Sequence, residues 1–109
     1  MNIFEDPENH RYVAEDDDAA VVGVTVYHMA GGRHIFVHTE IDPAYAGKGV
    51  GSALARYALD DVQSKGGKIV PLCPFIAGWI EQHPEYRAII DQALLDRINL
   101  HTQAGSGPG

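Results

Sequence analysis

Gly47-Lys48-Gly49-Val50-Gly51 is the stretch of this chain whose residue types and spacing point most directly to chemistry. It follows a strand-like run, residues 34–41, and leads into a helix-like run, residues 52–59. A glycine-rich turn between a strand and a helix presents backbone N–H groups at the positive end of the helix dipole, which suits a phosphate or pyrophosphate. Two common phosphate loops fail on spacing. A Walker loop needs Ser or Thr directly after Gly-Lys, and here Gly49 stands there. A dinucleotide fingerprint starting at Gly47 needs glycine where the chain has Ser52, and it also needs a parallel βαβ repeat. His28, His34, His38 and Glu40 supply imidazoles and a carboxylate suited to zinc. They lack cysteine pairs or the tight H-E-x-x-H spacing, so no metal site is expected.

The elements around the glycine turn follow from periodicity. Residues 11–15, 20–28 and 33–41 read as strands, with an acidic turn at Asp16-Asp17-Asp18 and a hairpin turn at Gly31-Gly32. Alternation in the third strand puts Ile35, Val37, Thr39 and Ile41 on one face, and His34, Phe36, His38 and Glu40 on the other. Leu54, Tyr57, Ala58 and Val62 recur at helical spacing, and Gly66-Gly67 ends that helix. Residues 68–73 read as a further strand, in which Pro71 removes a ladder donor and predicts an edge, a bulge or a splay. Residues 75–82 form a short helix, and His83-Pro84-Glu85-Tyr86 opens a last one containing Ala88, Ile89, Ile90, Ala93, Leu94 and Leu95. The expected class is α/β (α+β). An antiparallel β-meander is followed by a parallel β-α-β crossover and C-terminal helices in one mixed sheet.

The chain has 109 residues, enough for one domain with one modest core. That domain is expected over residues 10–101, with residues 1–9 and 102–109 as flexible ends. The formal charge of −7 disfavours nucleic acid and anionic membranes and favours a cationic partner. The single cysteine, Cys73, excludes an intramolecular disulfide. The N-terminus lacks the basic and apolar regions of a signal peptide, and no apolar run approaches the roughly 18 residues of a membrane span. A cytoplasmic location is expected. Oligomeric state is not encoded in these patterns.

The loop with its flanks resembles the GNAT N-acetyltransferase superfamily, whose pyrophosphate loop is R/Q-x-x-G-x-G/A. The matching stretch is Ala46-Gly47-Lys48-Gly49-Val50-Gly51, approached through Glu40-Ile41-Asp42-Pro43-Ala44-Tyr45. Ala46 departs from the usual Arg or Gln and removes a side-chain contact. His38-Thr39-Glu40, the loop, Pro71-Leu72-Cys73-Pro74-Phe75 and His83-Pro84-Glu85-Tyr86 occur in the order of a small stand-alone branch of that superfamily. The resemblance covers about residues 10–95 and implies a minimal GNAT-like fold. It also implies acetyl-CoA as co-substrate, held by Ile41, Gly47, Lys48, Gly49, Val50, Gly51 and Ser52. Pantetheine would pair with the strand edge near Glu40-Ile41, where it diverges from the next strand.

The implied reaction moves an acetyl group to an amine of a small molecule, peptide or protein. It needs a base, an oxyanion donor and a proton for the leaving thiolate. Glu40 is the candidate base, against the plainer reading of a solvated strand carboxylate. His38, on the same expected face, relays a proton or orients Glu40, or is simply a half-buried sheet histidine. Cys73 is an acetyl acceptor, a proton donor or a contact for the CoA sulfur, against the ordinary fate of an inert buried cysteine. The family's leaving-group tyrosine aligns with Ile80, which donates no proton; Cys73, Tyr86 or water would substitute. Tyr86 and His83 are expected chiefly to fix the turn between helices. The Asp16-Asp17-Asp18 turn offers negative charge to a cationic acceptor. The competing reading is a CoA-binding or protein-interaction module with the same fold and little catalysis, motivated by Ala46, Ile80 and the short chain.

Overall fold

The computed structural model describes residues 1–106, with side chains described through Leu100. Five strands form one sheet in the order β1-β2-β3-β4-β5: β1 (Asn2–Asp6), β2 (Arg11–Glu15), β3 (Val21–Ala30), β4 (Arg33–Ile41) and β5 (Lys68–Pro71). The first four are antiparallel neighbours, and β5 runs parallel to β4. The helices are α1 (Val50–Ser64), α2 (Pro74–Gln82) and α3 (Gln92–Ser106). This is the expected mixed sheet: an antiparallel meander, then β4-α1-β5 as the parallel crossover.

The N-terminal residues expected to be loose instead form β1, because Asn2 to Asp6 pair in full register with Glu15 to Arg11. Side chains reinforce that pairing. Glu5 accepts hydrogen bonds from Tyr27 on β3 and from Lys65, the residue capping α1. At the other end α3 spans Gln92–Ser106, so residues 102–106 of the expected tail lie within a helix. The rest of the expected tail, residues 107–109, lies outside the described residues. The expected single helix after Pro84 divides in two. Pro84–Ile89 is a 3-10 helix, Ile90 is extended and bridges Ile69, and the Asp91 carboxylate accepts the Leu94 N–H to start α3.

The strand alternation also needs correction. Val26 faces His38, but Tyr27 faces Phe36, so Val37 is an extra residue in β4. Such a bulge shifts every later side chain by one position. Thr39 and Ile41 therefore share the α1 face with His34 and Phe36, since Thr39 pairs with fully buried Thr25 and Ile41 packs on the core. His38 and Glu40 point to the opposite face. Alternation alone does not reveal a bulge, because one inserted residue leaves both half-strands regular.

The core lies between the sheet and α1. Leu54, Ala55, Ala58, Leu59 and Val62 form the buried stripe of the helix and meet Tyr12, Tyr27, Phe36 and Ile69. Beside it runs a charged seam. Asp61 accepts from Tyr12 Oη at 2.7 Å, and Lys65 Nζ lies 2.9 Å from Glu5 and 2.8 Å from Asp61. Burial alone would raise the Glu5 and Asp61 carboxyls, but hydrogen bonds from Tyr27, Lys65 and Tyr12 outweigh it and hold both below their ordinary values. Burial lowers His34, with partial opposition from Glu5, and its Nδ1 is buried without a hydrogen-bond partner among the described residues.

All three shifts have one sign. The folded state binds fewer protons than the unfolded chain, so stability is fully present above the unfolded values and is lost as pH falls. The denaturant midpoint should begin to fall below pH 6.5, as His34 takes a proton in the unfolded chain but not in the folded one, and fall further through the carboxylate range that starts near 4.5. Denaturant melts across pH check this. In His34→Phe the first fall should disappear while the second persists.

Candidate active site

The glycine turn forms as its sequence requires. Asp42 accepts the Ala44 N–H and starts a 3-10 turn, Pro43–Tyr45. Gly47 (φ 76°) and Gly49 (φ 81°) then adopt left-handed conformations that disfavour a side chain. Gly49 caps α1 without a side-chain bond, and the first helical bond runs from Ala53 N–H to the Gly49 carbonyl. The N–H groups of Val50, Gly51 and Ser52 therefore precede the ladder and are available to an anion.

Gly51 has a different role. A Cβ there would come within 2.7 Å of the Phe75 ring, so the glycine lets α2 approach the first turn of α1. Between them lies a depression of about 310 Å³ lined by Ile41, Ala46, Gly49, Ser52, Phe75 and Trp79, among others. The structure thus brings Ile41, Gly47, Gly49, Val50, Gly51 and Ser52 together in one concavity. Lys48 does not line it. Its Nζ sits 5.5 Å over the Tyr45 ring, at the exposed tip of the loop. Phe75 and Trp79 were not among the expected site residues, although their four-residue spacing on α2 is the sequence signal of a shared helix face.

The two strands beside this depression splay. Pairing of β4 with β5 stops at Phe36 and Pro71. The Phe36 carbonyl then accepts the N–H groups of both Leu72 and Cys73, and the chain turns into α2. Pro71 is the last paired residue of β5, and the strands splay directly after it, one of the outcomes its sequence position predicted. Beyond Phe36, residues 37–41 have no strand partner on the β5 side among the described residues. That edge is free to pair with an extended, amide-bearing ligand.

The three candidate catalytic side chains divide between two sides of β4. Cys73, expected at a strand end, is the N-cap of α2 and is 2% exposed. Its sulfur lies 3.3 Å from Thr39 Oγ1, which lies 2.9 Å from Thr25 Oγ1. Glu40 and His38 sit on the opposite face, largely exposed, with Oε2 and Nε2 3.5 Å apart. The bulge explains the division, since it turns Thr39 rather than His38 toward the thiol. Ile80 is buried in the core, and Tyr86 Oη is engaged by Asp60 and Arg56, away from the cleft. The bulge also separates His34 from His38, and no cluster of three His, Cys, Asp or Glu side chains able to hold a metal occurs among the described residues. No helix is long and apolar enough to cross a membrane among them.

A strand splay beside a glycine loop at a helix N-terminus agrees with the sequence relationship. A family model described as GCN5-related N-acetyl-transferase matches residues 11–89. The chain belongs to this family. The matched span runs from β2 through the 3-10 helix after Pro84, so it contains the GNAT loop, the bulged strand, the splay and Cys73. GNAT membership supports acyltransferase-type activity. Among curated proteins none matches the sequence.

Proposed function

We propose that this GNAT domain transfers an acetyl group from acetyl-CoA to an amine of a small molecule, peptide or protein. The observation that carries the reading is the splay of β4 from β5 directly beside the unfilled N–H groups of α1. A pyrophosphate on those N–H groups would direct its pantetheine arm along the free edge of residues 37–41. Amides of that arm match the unpaired strand, and the thioester would then lie in the splay beside Thr39 and Cys73, next to Glu40.

The transfer follows from this placement. An amine approaching from the Glu40 side attacks the thioester carbonyl, forming the C–N bond as the C–S bond breaks. Glu40 takes the amine proton, directly or through water, with His38 near enough to orient it. The CoA thiolate receives a proton from Cys73 or from water. The net charge of −7 and the exposed Glu40 favour a cationic acceptor. A cytoplasmic setting suits both the acetyl-CoA pool and a lone reduced thiol.

Titration calorimetry with CoA and acetyl-CoA, followed by thiol release across an amine panel, tests the proposal. Glu40→Gln should lower kcat/KM by about 10²–10⁴-fold, the usual contribution of a general base. Absence of CoA binding at millimolar concentration would overturn the whole reading. The second reading, a CoA-binding module with little catalysis, is favoured by the burial of Cys73 and by Ile80 in the tyrosine position. It predicts tight CoA binding without amine-dependent turnover. Intact mass after incubation with acetyl-CoA adds a check, since an acetyl adduct absent from Cys73→Ala would mark a covalent step.

A further inference from the structure

Ser52, Arg56 and Asp60 lie four residues apart and form one stripe along α1. Each is engaged by the segment of residues 79–86. Trp79 Nε1–H donates to Ser52 Oγ at 2.9 Å. The Arg56 guanidinium lies 5.3 Å over the Trp79 ring and donates to Tyr86 Oη at 3.2 Å. Tyr86 Oη in turn donates to Asp60. His83 stacks on Trp79 at 3.8 Å, with Nδ1 2.8 Å from the Trp79 carbonyl. The His83-Pro84-Glu85-Tyr86 motif thus holds Trp79 against α1 from behind.

The proton count at Ser52 gives this clamp a consequence for binding. An indole N–H only donates, so Ser52 Oγ must accept there and keeps its own hydrogen for another partner. Ser52 is the third helical residue of α1, exposed, and lines the depression beside the uncapped N–H groups. Its remaining O–H therefore adds to the donor set at the helix start. Without Trp79 the hydroxyl would be free to rotate and to act as acceptor, presenting a lone pair to an anion.

We propose that Trp79 is a positioning residue for phosphate recognition: its N–H fixes the Ser52 hydroxyl as an obligatory donor to a phosphate oxygen of the ligand. The inference rests on the reading of this depression as the pyrophosphate site of CoA. Trp79→Phe retains an aromatic ring but removes the N–H. Calorimetry with CoA and with pantetheine, which carries no phosphate, separates phosphate recognition from general packing. The CoA-to-pantetheine affinity ratio should fall about tenfold in Trp79→Phe, the scale of one hydrogen bond to a charged group.

Ser52→Ala should lower the ratio equally. Ser52→Thr, which keeps the hydroxyl, should restore it, and the Ser52→Ala/Trp79→Phe double variant should be no worse than either single one. Ser52→Ala keeps the test decisive if Trp79→Phe unfolds, since it leaves the buried ring in place. An unchanged ratio in Ser52→Ala, or equal weakening of CoA and pantetheine in the Trp79→Phe and Ser52→Ala variants, would overturn this inference alone. Failure of the wild-type chain to bind CoA would overturn it together with the reading of the site.

Discussion

Gly49→Val should weaken CoA binding about 10- to 100-fold while leaving the domain folded, because a β-branched residue resists the left-handed conformation at a cost of roughly 1–3 kcal/mol. Gly49 holds φ 81° as the N-cap of α1, and no neighbouring atom lies within 4 Å of a Cβ built there. The penalty is therefore backbone strain and not a clash. The turn relieves it by rotating peptide groups, which swings the N–H donors of Val50 and Gly51 away from a shared focus. The core below is little touched, since Leu54 and Leu59 lie farther along α1. Calorimetry for CoA affinity and thermal melting for the fold separate the two effects. Gly51→Ala should act differently, by pushing the exposed Phe75 ring aside, and its loss should be smaller because that side chain has room to move.

The largest stability effect should come from Phe36→Ala, about 3–5 kcal/mol by denaturant melting, the range for emptying a buried aromatic site. Phe36 is fully buried among Tyr12, Tyr27 and His34. It is also the last β4 residue paired with β5, and its carbonyl accepts both Leu72 and Cys73. A cavity there loosens the point from which the strands diverge, so CoA affinity should fall together with stability. Val21→Ala, at a half-exposed position, should stay within about 0.5 kcal/mol of wild type. Equal losses in Phe36→Ala and Val21→Ala would show that the splay is not anchored by the aromatic cluster.

Several features of the cleft were legible in the residues themselves. The left-handed turns at Gly47 and Gly49 were legible because only glycine adopts them freely, and Pro71 marked an irregularity in β5 that the structure resolves as a splay. The meander and crossover followed from hydrophobic periodicity and the hairpin glycines. What escaped was non-local. β1 is held by partners distant in sequence, Tyr27 and Lys65 on Glu5, and the short run of residues 2–6 bears no strong strand signature. The extra residue in β4 is invisible to alternation, so His38 and Glu40, expected on the face of His34 and Phe36, lie on the opposite one, and Thr39 faces the thiol.

The sequence by itself determined the family and the glycine turn, because both are carried by a few residue types in a short local pattern. Only the tertiary structure decided which side chains meet across the splay. A single-residue bulge reverses the facing of all that follows it, and α2 approaches α1 only because Gly51 leaves space for Phe75 while Trp79 finds Ser52. Those contacts join segments far apart in the chain, and packing, not spacing, selects them.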